Sequence, residues 1–587
     1  MNQQISHSNI EAERWVSAFA DALQASDERA LSLLFHTDSY WRDLSAFTWS
    51  IATLIGDRIA PTLIEASQKA GARDFRVDPS LFEPRTVEIL GRAVVEAAIR
   101  FESDNGPGLG VVRLSKSQDG KGPALAWTLS TLLDMDRIRK ARNPPDTSDG
   151  GHTVDFSQPA WPKRRERELE YVDRDPDVLV VGGGHGGVTA AAELKQLGYD
   201  ALIIDRLPRV GDCWRLRYDG LKLHNKWPVN HFRYMPFPEV MPLYLPKDKV
   251  ANWIEFYVDA LDLNFWTGSP FEGATYDDKT GRWSATIKRP DGTTRILSPK
   301  HIIMATSVSG TPNKPNIPTI ENFDGPVLHS SEFGSGKDWT GRNVLVIGSA
   351  TSAHDICQQL HSHGANATMV QRGATLVMSV EPSSELYDGG YSVEGPPIEI
   401  RDLINSSMPF PVVKLIHQVI TKKVKEIEAP LYEKLRAVGF ALEFGEDETG
   451  WPFKFRNQGG GYYLNVGCSD LIADRQVGLV QAADIETYQA DGVKLKNGKV
   501  VKADAVILAT GFKGHDHLMR EMFGTGVAER VGQVWGICPE RQELRNMWTK
   551  TGQPGLWFTG GAFSMSRIFS RFMALQIDAI ETGKISK

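Results

Sequence analysis

Short all-apolar runs punctuated by glycine recur along this chain, and each leads into a stretch with helical character. Val178–Val181 is the first, followed by Gly182, Gly183, Gly184, His185, Gly186 and Gly187. An alanine-rich segment, 188–194, comes next, and then a second apolar run, Ala201–Ile204, closed by Asp205. A run apolar on both faces predicts a strand buried within a parallel sheet, and the alanine-rich segment predicts the helix that crosses back over it. The rhythm returns at 344–347, through Gly348, Ser349, Ala350, Thr351 and Ser352 into a helix, and on to the run 367–370 that ends in Gln371 and Arg372. Apolar strands are also predicted at 301–306 and 503–512, the latter ending in Ala509, Thr510, Gly511 and Phe512.

The flanks of this core read differently. Ser8 has N-cap chemistry with Glu11 three residues on, and Ile10, Trp15, Phe19 and Leu23 mark the apolar side of an amphipathic helix. A second helix is predicted over 28–34, and strands over 93–101, 110–114 and 124–129, joined by Gly, Asp and Lys turns. Helices followed by a strand meander predict a separate α+β unit. Residues 142–151 have linker composition, and the charge-dense run 163–174 predicts a solvated helix. The segment 383–455 is helical and aromatic, and 459–467 is a glycine turn entering a strand.

At 587 residues the chain predicts three or four domains at about 150 residues each. Hydrophobic residues make up 41% and charged residues 24%, which gives material for large cores, and the net charge of −7 excludes a nucleic-acid surface or a polybasic membrane contact. The four cysteines, Cys213, Cys357, Cys468 and Cys538, lack CxxC or Cys/His spacing, so no metal site and no disulfide framework are expected. The first residues lack a signal-peptide pattern, and no apolar run approaches the ~18 residues of a membrane span; a soluble, cytoplasmic protein is the expectation.

The glycine units carry the chemistry. Strand, G-x-G-x-x-G turn, helix, strand and a terminal acid form a dinucleotide-binding βαβ unit. Gly182 serves the tight turn, Gly184 gives the pyrophosphate access to the backbone, Gly187 lets the helix lie close, and Asp205 accepts the ribose hydroxyls. In the second unit Ala350 adds a methyl where the pyrophosphate approaches. Its strand ends in Arg372, and a guanidinium there favours a 2′-phosphate, with a surface role as the alternative. Gln371 before it leaves room for NADH as a slower substitute.

Beyond the first unit, Gly211-Asp212-Cys213-Trp214-Arg215, Leu221-Lys222-Leu223-His224-Asn225 and Met235-Pro236-Phe237-Pro238 resemble the flavin-containing monooxygenases, with the plant indole-pyruvate monooxygenases as the nearest variant. Phe323, Gly325, His329 and Phe333 match that family's F-x-G-x-x-x-H-x-x-x-[YF] motif, and 509–512 its ATGF motif; at 305–307 Ser307 replaces the motif's glycine. Taken without the family, Trp214 is a core aromatic, Asn225 a turn residue and His329 a structural hydrogen-bonding residue. The resemblance covers about residues 175–580. The extra N-terminal segment matches the type II group of the family, and 34–43 resembles part of the cone-shaped NTF2-like/SnoaL-like fold. His36 and Asp43 could form a pocket site of such a cone, although a satisfied core and an interface is the preferred reading.

The resemblance implies two Rossmann-like domains, for FAD and NADPH, behind an NTF2-like α+β cone. Boundaries are expected at 1–140 for the cone, 141–176 for a linker, 177–335 and 503–587 for the FAD domain, and 336–502 for the NADPH domain with a helical insertion. It implies a class B flavoprotein monooxygenase in which a flavin C4a-(hydro)peroxide delivers one oxygen to a small organic substrate. Baeyer–Villiger oxidation of a ketone and oxygenation of a soft nitrogen or sulfur both stay open. An indole-pyruvate-type oxidative decarboxylation and a non-catalytic flavin-binding scaffold are the alternatives; a disulfide reductase is set aside because Cys213 has no partner cysteine. Asn225 is the expected catalytic residue. The expected cofactor contacts are Gly182, Gly184, Gly186, Gly187, Asp205, Arg206, Trp214, His224, Asn225, Gly348, Ala350, Ser352, Arg372, Thr510 and Gln576. Arg567 and Arg571 are weighed as anion or substrate contacts, with solvated arginines as the alternative. The expected partners are the substrate and O2, with no nucleic acid and no membrane, and a homodimer as the assembly.

Overall fold

A computed structural model describes residues 7–116, 122–142, 157, 159–307 and 310–587. Of the expected linker at 142–151, all but Arg142 lies outside the described residues. The first helix, His7–Ala25, buries Ala12, Trp15, Val16, Phe19, Ala22 and Leu23 on one side, the three-to-four spacing of an amphipathic helix. It begins one residue before Ser8, so the expected cap residue lies inside it. The expected strands are longer than read, Arg92–Glu102, Gly108–Ser115 and Leu125–Leu133. With Phe35–Leu44, Ile51–Ile55, Arg73–Val77 and Arg85–Ile89 they form a seven-stranded sheet, antiparallel except where Phe35–Leu44 runs parallel to Leu125–Leu133.

Gly108–Ser115 and Leu125–Leu133 are buried almost throughout, which a sheet open to water on one side would not be. One face meets the unit's own helices, with Trp15, Phe19 and Leu63 against Phe101, Val112 and Leu129. On the other, Val94 and Trp127 pack on Val412, while Leu44, Val111 and Leu132 join the core of the first nucleotide unit. The N-terminal unit is therefore α+β but seated against the body of the molecule.

The first nucleotide sheet is parallel, in the order Asn264–Trp266, Ala201–Ile204, Val178–Val181, His301–Met304, Leu556–Phe558. The second, also parallel, runs Val327–His329, Ala505–Leu508, Asn343–Ile347, Asn366–Gln371, Gly478–Gln481. Two expected boundaries move. Val327–His329 and Ala505–Leu508 were expected in the first unit, yet both pair within the second, and the C-terminal return to the first sheet comes at Leu556–Phe558. Ala505–Leu508 is buried on both faces, and such a strand carries no mark of which parallel sheet it enters. Helices Ile398–Ser406, Phe410–Ile427, Ala429–Ala437 and Gly450–Gln458 fill the segment read as helical. The charged run 163–174 gives the largely exposed helix Trp161–Glu170. Among the described residues, no helix is long and apolar enough to cross a membrane.

Candidate functional site

The two glycine turns are built on one plan. Gly182 has φ +109°, and a Cβ there would stand 2.6 Å from the carbonyl oxygen of Ala305; Gly348 has φ +134°, and its Cβ would stand 2.3 Å from that of Ala509. Each first glycine is thus pressed on the alanine of an Ala-Thr-Ser/Gly motif, which explains why fingerprint and motif recur together. Ser307 holds φ +67°, the left-handed conformation that Gly511 adopts at +81° in the second motif. Gly184 and Ala350 occupy the same N-cap place, with φ/ψ of −74°/−179° and −93°/−171°, before the helices His185–Gln196 and Thr351–Ser362. A Cβ on Gly184 would meet only Cys213 Sγ, at 3.7 Å, so the backbone stays open to an approaching anion, whereas one on Gly187 would collide with Gly182 O at 2.0 Å. Gly186 lies on Gly560 and Ser566.

Asp205 Oδ2 accepts from Gly183 N at 2.7 Å and Oδ1 from Leu207 N at 2.9 Å, which fixes the carboxylate with lone pairs left for ribose hydroxyls. Arg206 beside it is exposed and donates to Gly310 O at 3.2 Å. In the second unit Arg372 is exposed just past the strand. Gln371 is buried: its Oε1 accepts from Ala441 N at 2.8 Å and from Gln481 Nε2 at 2.9 Å, and its Nε2 donates to Ala441 O at 2.9 Å. Gln371 therefore stitches the sheet to its neighbours, and its amide is engaged by Ala441 and Gln481.

A cavity of about 1450 Å³ runs between the two units and under the helical segment. It brings Trp214, His224, Asn225, Gly348, Ala350, Ser352, Arg372 and Thr510 onto one wall system, together with His185 from the first turn. Gly182, Gly184, Gly186, Gly187, Asp205 and Arg206 are not on that wall. Gln576 is corrected: it is fully buried, donating to Trp548 O and Phe572 O and accepting from Thr549 Oγ1, so it holds the C-terminal helix and not a cofactor. Its place on an apolar helix gave no sign of these carbonyls. Arg567 and Arg571 are buried, not solvated, and Arg567 pairs with both oxygens of Asp402 at 2.8 Å. His36 bonds Ser115 and Asp43 is taken up by Thr48 and Thr131, so both are structural.

Burial biases the cavity's imidazoles toward the neutral form. His185 donates to Gly561 O at 2.9 Å and stacks on Phe563 at 4.1 Å, and burial pushes it down to about 4. His224, edge-on to Trp451 and Tyr462, is likewise pushed down to about 4 by burial. Asn225 Nδ2 donates to Asp388 Oδ1 at 2.9 Å, and burial pushes that carboxyl up to about 6. Thr510 Oγ1 donates to Asn313 O at 2.6 Å. His329 accepts from Ser331 N through Nδ1, so Nε2 carries the proton and donates to Gly511 O at 3.0 Å, tying the F-x-G-x-x-x-H segment to the ATGF turn. The partners His185–Phe563 and Asn225–Asp388 were missed from sequence; only the unusual histidine inside the first glycine turn was a visible signal.

Two parallel sheets, each with a dinucleotide-type glycine turn, thus flank one cavity, which the second turn lines and the first reaches through His185. A family model described as pyridine nucleotide-disulphide oxidoreductase matches residues 179–387. The chain is 28% identical over 354 residues to the probable indole-3-pyruvate monooxygenase YUCCA4 of Arabidopsis thaliana, covering 60% of this chain and 79% of that protein. To the indole-3-pyruvate monooxygenase YUCCA1 of Oryza sativa subsp. japonica it is 29% identical over 344 residues, covering 58% and 77%. The open crystal structure of cyclohexanone monooxygenase has the same fold, with a TM-score of 0.52 at 17% identity over 70% of this chain and 88% of that one. That of cyclohexanone monooxygenase from Rhodococcus sp. Phi1 bound to NADP+ gives 0.50 at 15% identity over 70% and 85%. Sequence and fold matches together bear out the resemblance to the class B flavoprotein monooxygenases.

Proposed function

We propose that this chain is an NAD(P)H- and O2-dependent flavin monooxygenase that places one oxygen atom into a small organic substrate. The observation that carries the reading is one cavity that the second nucleotide turn lines through Gly348, Ala350 and Ser352 and that the first reaches through His185. At about 1450 Å³ it exceeds the ~300–1,000 Å³ of a site for one small ligand. The residues present fit FAD at the first turn and NADPH at the second: an open N-cap glycine and a fixed acid at one, a small-residue N-cap and Arg372 at the other. When bound, these groups supply hydride transfer and the activation of O2.

The chain's own residues bind, orient and keep water out. The helix N-termini at Gly184 and Ala350 would hold pyrophosphates, Asp205 would take the ribose and Arg372 the 2′-phosphate. Trp214 and the neutral His185 and His224 offer apolar surface without placing a proton donor of low pKa in the cavity. Phe410, Val413, Ile416, Trp451, Phe455 and Phe569 make the substrate end apolar, which protects a reactive oxygen from water. Asn225 is the amide available to hydrogen-bond an oxygen in transit, and Asp388 holds it ready. Disulfide-reductase chemistry fits poorly: all four cysteines are free, and burial pushes Cys213 up to about 12. A second reading, oxidative decarboxylation of a 2-oxo acid, is favoured by the indole-3-pyruvate relatives.

Mixing anaerobic, NADPH-treated holoenzyme with O2 in a stopped-flow spectrophotometer tests the proposal. NADPH should bleach the flavin, a transient absorbance should precede its return, and a ketone, a thioether or a 2-oxo acid should yield product labelled from 18O2. Flavin that NADPH leaves oxidised would sink the proposal and favour a non-catalytic flavin-binding scaffold.

A further inference from the structure

Arg456 lies on the helix Gly450–Gln458 and lines the cavity, with its guanidinium set between the rings of Phe410 and Phe453, at 5.2 and 5.3 Å. Its Nε and Nη1 are enclosed without a hydrogen-bond acceptor. Three of the other cations on this wall have carboxylates of their own. Arg42 grips Glu543 through two bonds of 2.7 Å, Arg113 pairs with Glu96 at 2.7 Å, and Lys454 pairs with Glu443. Glu543, the carboxylate whose field Arg456 feels, is further used by Thr53 Oγ1 at 3.0 Å. Among these four cations Arg456 is the one left without a carboxylate of its own among the described residues, at an apolar end of the cavity. Leaving a buried guanidinium unpaired is costly, and its planar fork suits a carboxylate better than a point charge does.

We infer that Arg456 is the receptor for an anionic group on the substrate, so that the substrate class is an organic carboxylate with an apolar or aromatic body. The inference rests on reading the cavity as the substrate site. The body would lie among Phe410, Trp451, Phe455 and Phe569, and the carboxylate would complete the charge balance that Glu543 leaves short. Burial and the neighbouring Arg42 lower the Arg456 guanidinium to about 10, so it stays charged at neutral pH. Arg42 and Arg113 come from the N-terminal unit and line the same cavity, which gives that unit a place in substrate selection. The rival anion is a phosphate of the nicotinamide nucleotide, for which Arg372 and the second glycine turn already provide.

Isothermal calorimetry on the FAD-loaded full-length protein with 3-phenylpropionate and its neutral amide, 3-phenylpropionamide, tests this. Wild type should bind the carboxylate about tenfold or more tightly than the amide, the scale of a charge-assisted hydrogen bond. Arg456→Met should erase that preference, and Arg456→Lys should keep part of it, while NADPH still bleaches the flavin in both. Equal binding of the two probes by wild type would overturn the inference, whatever the variants do. So would an Arg456→Met protein that loses NADPH affinity but keeps its carboxylate preference, since the guanidinium would then serve a nucleotide phosphate. Unbleached flavin in wild type refutes the monooxygenase reading, and the calorimetric comparison remains legible in that case.

Discussion

Asp388 shows how much one side chain of the cavity can report. Its carboxyl, held off water beside Asn225, is pushed up to about 6 from the 3.8 of an exposed aspartate. Between those values the folded protein keeps a proton that the unfolded chain has lost. Its contribution therefore favours the fold fully below about pH 3.8 and is lost as pH rises through about 6. Asp355, bonded to Tyr218 and pushed up to about 6 by burial, titrates in the same window and adds to the same slope. Asp388→Asn should make the melting temperature fall less steeply across that window, with part of the slope kept by Asp355. It should also remove an inflection near pH 6 from the rate of substrate oxygenation, because the amide of Asn225 would face a neutral partner throughout. Superimposable wild-type and variant melting curves against pH would show that the carboxyl is not perturbed.

At the level of elements, the two βαβ units share a backbone and differ where it matters for the nucleotide. Both first glycines sit under an alanine carbonyl and both N-caps are small, so either turn can hold a pyrophosphate. The strand ends separate them, with a fixed carboxylate at Asp205 and a free-standing guanidinium at Arg372. A carboxylate repels a 2′-phosphate and a guanidinium binds it. Arg372→Ala should thus lower kcat/KM for NADPH by about 10- to 100-fold, the worth of one charge-assisted contact, and leave NADH turnover nearly unchanged. An unaltered ratio of the two steady-state rates would remove Arg372 from phosphate recognition. Gln371 should not matter to the ratio, because its amide is consumed by Ala441 and Gln481.

Across the whole molecule, ion pairs join separate stretches of chain, and one of them reaches the cavity wall through Arg42. Arg42 of the N-terminal sheet grips Glu543 and also donates to Ser406 O at 2.8 Å and Met408 O at 2.9 Å on the helical segment. Arg567 of the C-terminal helix does the same with Asp402, and Arg233 with Glu193 and Asp136. Arg42→Met would leave Glu543 buried without its ion-pair partner, at a cost of about 3–5 kcal/mol. The variant should melt earlier than wild type, and the paired change Arg42→Met with Glu543→Met should recover most of the loss. A single variant as stable as wild type would mean that the N-terminal sheet is not held through this pair.

The sequence alone determined the features whose causes are local. Glycines that must take positive φ, apolar strands, the helix after each turn and the residue at each strand end all lie within about 30 residues of one another. From these came the two nucleotide sites and the class of protein, and 323–333 and 509–512 sharpened the likeness. The tertiary structure decided what depends on contacts between remote segments. It chose the sheet that receives Ala505–Leu508, it spent Gln576 on backbone carbonyls, and it set Asn225 against Asp388. It also brought Arg42 to Glu543, 501 residues away, and, among the described residues, left Arg456 Nε and Nη1 without a hydrogen-bond acceptor. Burial and pairing of charge are properties of the packed chain, and no periodicity in the sequence encodes them.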